Sequence, residues 1–331
     1  MGVTIEQVAQ RAGVSVATVS RALRGLENVA ASTRARVRQA ATDLDYRPDP
    51  HAARLASGHT KTIGLAAPLV DSRYIAQIVS GAEAVLAEEG FDLLIFTMRS
   101  QRSFSSSAGN RDLLVDGMIL VDVGPDFRSQ FAVDTAAVTV GLQSDNLSSV
   151  SIDNGAASLH AMAHLLDLGH RRIALLAGPE SNDPSSAPQL RRRGYEQAMQ
   201  DAGCFDPELV VDGAFTLTGA AEATRHLLAL ENPPTALFAL SDEMAIAAIS
   251  VLRESGVRVP EDMSVVGFDD LDLAEVLGLT TVRQPMQQLG VASARLLLGE
   301  LERGGGEPKH QLFETSLVIR GTTAPCRSVN S

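Results

Sequence analysis

The stretch that decides the fold of the first sixty residues is TIEQVAQRAGVSVATVSRALRG, residues 4–25. Thr4 followed three residues later by Gln7 has the form of a capping box, in which each residue satisfies a backbone group of the other. Ile5, Val8, Ala9 and Ala12 then recur at i, i+3, i+4 and i+7, one apolar stripe along a helix. Gly13 suits the left-handed residue that ends a helix. Ser15 can cap the next one, whose inner face is Val19, Ala22 and Leu23. A third helix fits residues 32–44, with Val37, Ala40, Ala41 and Leu44 inward. Two short helices joined by a tight turn, with a third behind them, make a helix-turn-helix unit.

Ser15 and Thr18 open the second helix, and its outer face carries Val16, Ala17, Ser20, Arg21 and Arg24. Hydroxyls and guanidiniums suit phosphate oxygens, and an arginine fork can grip a guanine edge. Small Val16 and Ala17 allow the helix to sit deep in a major groove. The competing reading is an amphipathic hairpin whose arginines are merely solvated. The charge distribution favours the first. Residues 1–61 hold nine Lys and Arg against five Asp and Glu, a balance of +4, so the other 270 residues carry −16 of the net −12. A small basic head on a large acidic body suggests a head that meets a polyanion.

At 331 residues the chain is too long for one core, and two or three folding units are expected. No apolar run approaches the ~20 residues that span a bilayer, so no membrane partner is expected. The start, MGVTIEQVAQ, has neither a basic n-region nor an apolar h-region, so no secretory leader is expected. Cys204 and Cys326 lack metal-ligand partners at useful spacing and read as reduced thiols of a cytoplasmic protein. His160 and His164 have i, i+4 spacing but no third ligand nearby, so no metal or cofactor is expected. Glycine-rich phosphate loops, nucleophile elbows and zinc-protease motifs are missing from the sequence, which argues against an enzyme.

Residues 46–61 read YRPDPHAARLASGHTK. Pro48 and Pro50 stop the third helix. HAARLAS could form about two turns, too few to hold a helix in water unaided. Leu55 at its centre could wedge between base pairs of a minor groove. Alternatively it is an ordinary linker leucine packed on the body.

From Lys61 on, short apolar runs alternate with helical patterns. Strands are expected at 62–67, 91–96, 117–123, 171–178, 236–241 and 263–269, and helices at 75–89, 156–168, 188–202 and 242–255. Such alternation implies parallel sheets covered by helices on both faces. Roughly a dozen strands are too many for one small sheet, so two Rossmann-like lobes are expected. Ligands of such sheets bind at the carboxyl ends of strands, here between the lobes. Asp269 and Asp270 follow one strand, Ser241-Asp242 another, and Arg191 lies in QLRRRGY at a helix start. Their hydrogen-bonding groups suit vicinal hydroxyls or base edges. Helix capping is the competing reading for Asp242.

The segments VTIEQVAQRAGVSVATVSRALRG, TRARV, DYRP and AARLASG, with VGFDDL and LTTVRQP near the end, resemble the LacI/GalR family of bacterial repressors essentially end to end. The resemblance implies an α/β protein with an all-α helix-turn-helix head (1–47) and a hinge (48–60) that folds on operator DNA. It further implies an effector-binding and dimerising body of two periplasmic-binding-protein-like lobes (61–331). The helix after Gln284-Pro285 should return to the first lobe. Val16, Ala17 and Arg21 fall at base-reading positions and Leu55 at the intercalating leucine. The DNA-facing set is completed by Thr4, Ser15, Thr18, Ser20, Arg24 and Arg34. Three positions depart from the family pattern: Arg24 stands where asparagine is common, Ala30 where a serine usually caps the third helix, leaving that cap to Ser32 or water, and Ser241 where asparagine more often precedes Asp242, which changes one hydrogen-bonding group.

In the body the resemblance assigns effector contacts to Arg191, Asp269 and Asp242, an aromatic wall to Phe215, and lining positions to Tyr74 and Asp153. The purine-responsive branch has an aromatic where this chain has Ile75 and an arginine where it has Ser185. A sugar or related polyol is therefore expected, with a nucleoside or phosphorylated metabolite as the alternative. The implied protein is a homodimeric, cytoplasmic transcriptional regulator whose affinity for a pseudo-palindromic operator is set by a small molecule. No leucine heptad follows Thr323, so no coiled-coil tail is expected. A transporter's solute-binding protein would fit the body alone, but not the basic head.

Overall fold

The computed structural model describes residues 3–23, 28–46, 60–68, 72–97, 115–123, 136–142, 144–179, 183–304 and 306–327. They form two compact units, Met1–Lys61 and Thr62–Ser331. Arg24 and the hinge leucine, Leu55, lie outside the described residues.

In the first unit α1 spans Ile5–Ala12, α2 Val16–Leu23 and α3 Ala31–Asp43. Gly13 ends α1 at φ 64°, and the next N–H, that of Val14, donates back to the Ala9 carbonyl at 3.1 Å. That bond closes the turn which only a residue without Cβ enters without strain. Val8, Ala9, Ala12, Val19, Ala22, Val29, Val37, Ala40 and Ala41 form the unit's own core. Their small side chains let three short helices approach closely. Ala30 precedes α3 with no side-chain cap, and Ser32 lies exposed within the helix, so no side chain among the described residues caps that end.

The second unit contains two six-stranded sheets. The first lobe holds β1 Thr62–Ala67, β2 Asp92–Thr97, β3 Gly117–Val121, β4 Ala136–Val140 and β5 Ser148–Ile152. These, with β11 His310–Phe313, run parallel in the order β2-β1-β3-β4-β5-β11. The second lobe holds β6 Ile173–Ala177, β7 Val210–Asp212, β8 Ala236–Ala239, β9 Ser264–Asp269, β10 Thr280–Arg283 and β12 Ser316–Val318. Its order is β7-β6-β8-β9-β10-β12, with only β12 antiparallel. The central strands are nearly all buried, as expected where helices cover both faces.

The first lobe carries α4 (Arg73–Glu88) and the second carries α5 (Asn154–Asp167), α6 (Ala187–Asp201), α7 (Leu217–Leu228), α8 (Asp242–Glu254) and short α9 (Asp272–Leu277). The last helix, α10 (Met286–Arg303), leaves β10 of the second lobe yet packs on α4 and on β3, β4 and β5 of the first. The return after Gln284-Pro285 is therefore present. The chain passes between lobes three times, near Asp153, near Gln284-Pro285 and near Glu314. No helix among the described residues is long and apolar enough to cross a membrane.

The α4–α10 contact is backbone against backbone. A Cβ on Gly290 would lie 2.0 Å from the Ile78 carbonyl oxygen, and one on Gly81 2.0 Å from that of Gln287. Neither carbonyl belongs to a flexible side chain that could swing away. Gly290→Ala should therefore cost about 1–3 kcal/mol of stability through overpacking. Urea denaturation followed by circular dichroism measures it; an unchanged midpoint would mean the two helices slide apart freely.

Candidate DNA-reading helix and interlobe cleft

On α2 the side chains of Val16, Ala17 and Arg21 are exposed and Ser20 is half-buried, while Val19 and Ala22 face the core. Ser15 caps the helix by accepting the Thr18 N–H at 3.2 Å, and the two hydroxyls lie 2.9 Å apart. The helix thus presents small side chains and one guanidinium outward. Two residues of the DNA-facing set are engaged inside the unit. Arg34 is half-buried and Nη2 donates to the Val29 carbonyl at 3.3 Å, bracing the turn before α3. Thr4 forms the capping box with Gln7, its N–H donating to Gln7 Oε1 at 3.0 Å. Its hydroxyl also hydrogen-bonds the Glu6 carboxylate, lowering that group's pKa.

In the body the sequence-predicted residues gather at the carboxyl ends of both sheets. Arg191, on the second turn of α6, is buried. Nε donates to Asn154 Oδ1 at 2.8 Å and Nη1 to the Leu240 carbonyl at 2.9 Å. The guanidinium stacks 3.7 Å from the centroid of Phe268 and lies 3.8 Å from Asp269 Oδ1. Gln284 Nε2 donates to that same oxygen at 2.6 Å. Burial drives the Asp269 carboxyl well above its ordinary range, against the pull of Arg191.

Asp269 and Asp270 both have left-handed backbones, φ 122° and 60°. Such conformations cost about 1–3 kcal/mol each unless the surroundings fix them. Asp270 is fixed by Arg283 at 2.6 Å and Arg320 at 2.7 Å. Asp242 fixes the rest. Asp242 is fully buried. Oδ2 accepts the Leu271 N–H at 2.8 Å and Oδ1 the Thr281 hydroxyl at 2.6 Å. Its carboxylate is spent inside the protein, tying the turn after β9 to β10. The helix cap is its neighbour Ser241, which accepts the Met244 N–H at 3.2 Å. A Cβ on Gly267 would sit 2.3 Å from Asp242 Oδ1, so the glycine of VGFDD makes room for this carboxylate.

Asp153 is exposed and caps α5, accepting the Ala156 N–H at 2.9 Å. The next residue, Asn154, is the buried one that holds Arg191. Phe215, at φ 50° after β7, lays its ring on Gly178, the residue after β6, where a Cβ would come within 1.9 Å of a ring carbon. Tyr74 lies in the first turn of α4 rather than in the preceding loop. It approaches Asp122, which follows β3, and their hydrogen bond lowers the acid's pKa. Burial outweighs it and raises Asp122 to about 6, with Arg191 of the other lobe pulling the opposite way. Burial, more than any neighbour, also raises the Tyr74 phenol well above its ordinary value, and Asp122 and Asp269 add to that. Residues of the two lobes therefore face one another. Ile75 is buried in the first lobe's core, and the Ser185 hydroxyl is bound to Asp183 at 2.6 Å. Sequence reasoning missed Asn154, Gln284, Phe268 and Asp122; their signal was position, each at or beside a strand's carboxyl end.

Residues 4–49 match the model of bacterial regulatory proteins, lacI family. Over 332 residues the chain is 33% identical to the HTH-type transcriptional repressor CytR of Escherichia coli (strain K12), covering 97% of this chain and 96% of that protein. The chain belongs to the lacI family. It is a DNA-binding transcriptional regulator. Residues 162–323 of this lacI-family chain also match a periplasmic binding protein-like domain. It is 36% identical over 336 residues to the regulator CelR of Thermobifida fusca, covering 96% of this chain and 97% of that one. A solved complex of CelR with cellobiose superposes with TM-score 0.70 at 34% identity, covering 97% and 99% of the two chains. The lac repressor dimer bound to operator and the anti-inducer ONPF gives 0.79 at 30% identity, covering 98% and 100%.

The buried Asp242 makes a testable mark on stability. Burial pushes its carboxyl up to about 7 from an ordinary 3.8. The folded protein then holds a proton that the unfolded chain releases above about pH 4. This group's contribution to stability is full at acid pH and fades as pH rises through 7. In Asp242→Asn the amide oxygen can still accept from Leu271, and the Thr281 hydroxyl can turn to accept from the amide. The fall of stability between about pH 4 and pH 7 should be shallower in this variant. Urea midpoints across that range decide it, and parallel curves would show that Asp242 keeps its charge throughout.

Proposed function

We propose that this regulator is a metabolite-controlled repressor that binds a pseudo-palindromic operator as a homodimer, with a sugar or related polyol held between its lobes. One observation carries the reading. Arg191, Asp269, Asn154 and Gln284 converge at the strand ends of one lobe, facing Tyr74 and Asp122 of the other. Hydrogen-bonding forks beside the Phe268 and Phe215 rings suit a molecule with polar edges and apolar faces. The cellobiose of CelR is a ligand of that class.

In this reading Val16, Ala17 and Arg21 read bases, while Ser15, Thr18, Ser20 and Arg24 meet the backbone and Leu55 enters the minor groove. A hinge too short to coil by itself needs its twin and DNA to form. A ligand that changes the angle between lobes changes the separation of the paired hinges. To take operator occupancy from nearly full to nearly empty it must favour one state by about 5.5 kcal/mol.

The test starts from a site selected from random duplexes by the full chain. Arg21→Ala should lose ~1–3 kcal/mol of discrimination at one base pair. Equal weakening on unrelated DNA would reduce Arg21 to a phosphate contact. Asp269→Ala should keep operator binding and lose release by the sugar that acts on the parent protein. If release survives, the effector does not use this cleft.

A further inference from the structure

Away from the cleft, the second lobe holds a cavity of about 310 Å³ between the last turns of α8 and the loop that enters β9. It lies at the amino end of β9, a whole strand away from Asp269 at the carboxyl end. Ile249 and Arg253 line it from α8, one turn apart on the same face. Gly256, φ 77°, turns the chain back, and Val257 and Val259 line the same space from the loop. Ile249 is buried and the two valines are half-buried, which gives the cavity an apolar floor.

Three charged side chains complete the lining: Arg253, Arg258 and Glu261. Arg258 is already engaged. Its guanidinium grips Asp262 at 2.7 and 2.6 Å, and its N–H donates to the same carboxylate at 3.0 Å. The side chains of Arg253 and Glu261 make no hydrogen bond or ion pair with any described residue, nor with each other, although they line one cavity and are opposite in charge. Glu261 acts on Arg258 only at longer range, raising its pKa less than Asp262 does.

These surfaces restrict what fits. A plain anion drawn to Arg253 would also meet Glu261, and a plain cation would meet the reverse. A sugar would set its hydroxyls against valine and isoleucine. A zwitterion with an apolar body satisfies the cation, the anion and the floor together. The volume stands at the small end of the roughly 300–1,000 Å³ typical of small-molecule sites, which suits a molecule of few atoms. We propose that this cavity is a second small-molecule site, for an apolar α-amino acid. The carboxylate of the amino acid meets Arg253, its ammonium meets Glu261, and its side chain rests on Ile249, Val257 and Val259. The site is separate from the interlobe cleft and does not depend on what the cleft binds.

The probe is free L-leucine, titrated into the full chain by calorimetry. It should bind weakly and saturably. Leucinamide, which lacks the carboxylate, and isocaproate, which lacks the ammonium, should each bind less well, and glycine, which lacks the apolar body, should give no measurable heat. Arg253→Gln and Glu261→Gln alter exposed side chains that hold nothing in the chain, so both variants should fold as the parent does. Each should weaken leucine binding about two- to fivefold, the range of a solvent-exposed ion pair. Asp269→Ala, in the cleft, should leave leucine binding unchanged. Absence of leucine binding overturns the proposal, as does equal affinity in the parent and both charge variants. Loss of leucine binding in Asp269→Ala overturns it too, by placing the amino acid in the cleft.

Discussion

The body depends on one buried carboxylate. Asp242 reaches from the start of α8 to the Leu271 N–H and the Thr281 hydroxyl, and so clamps the end of β9 to β10. Between those anchors lie Asp269 and Asp270, two consecutive non-glycine residues in left-handed conformations. Without the clamp the turn would relax toward ordinary backbone angles and the Asp269 carboxyl would swing away from Arg191 and Gln284. Strain of this kind persists only when several contacts over-determine it. Here the two arginines on Asp270 and the glutamine on Asp269 share the task.

Placement at strand ends also ties the cleft to the connections between lobes. Asn154 begins the helix that follows the first crossing, and Gln284 closes the strand before the second. The two partners of Arg191 and Asp269 are therefore residues of the crossings themselves. The side chains that hold Arg191 and Asp269 thus belong to the very segments that join the lobes.

The sequence was most legible where one force acted alone. Apolar runs such as IGLAA, GMILV and IALLA could hardly be other than buried strands, and they lie at β1, β3 and β6. The head was legible for the same reason, since its stripe of small residues faces one core. The strands AAVTV and SSVSI were not read, because their hydroxyls mimic a loop. Burial of those hydroxyls is permitted by partners far along the chain: Ser148 bonds Glu300, and Ser149 meets His310 at 2.8 Å. The edge strands β7 and β12 are three residues each and carry too little pattern to register.

The acids next to strands show how little spacing says about the partners of a carboxylate. Sequence favoured acids next to strands, since an aspartate can cap, clamp or bind with equal ease. Asp153 caps, Asp242 clamps, and Asp269 lies against Arg191. What separates these roles is where each carboxylate finds its donors: a local backbone N–H three residues ahead, a turn twenty-nine residues on, or a side chain from another helix. Spacing along the chain carries the first relation and is silent on the other two. Asp122 adds the limiting case, a buried carboxyl whose Oδ1 finds no donor among the described residues, and only coordinates could distinguish it from the rest.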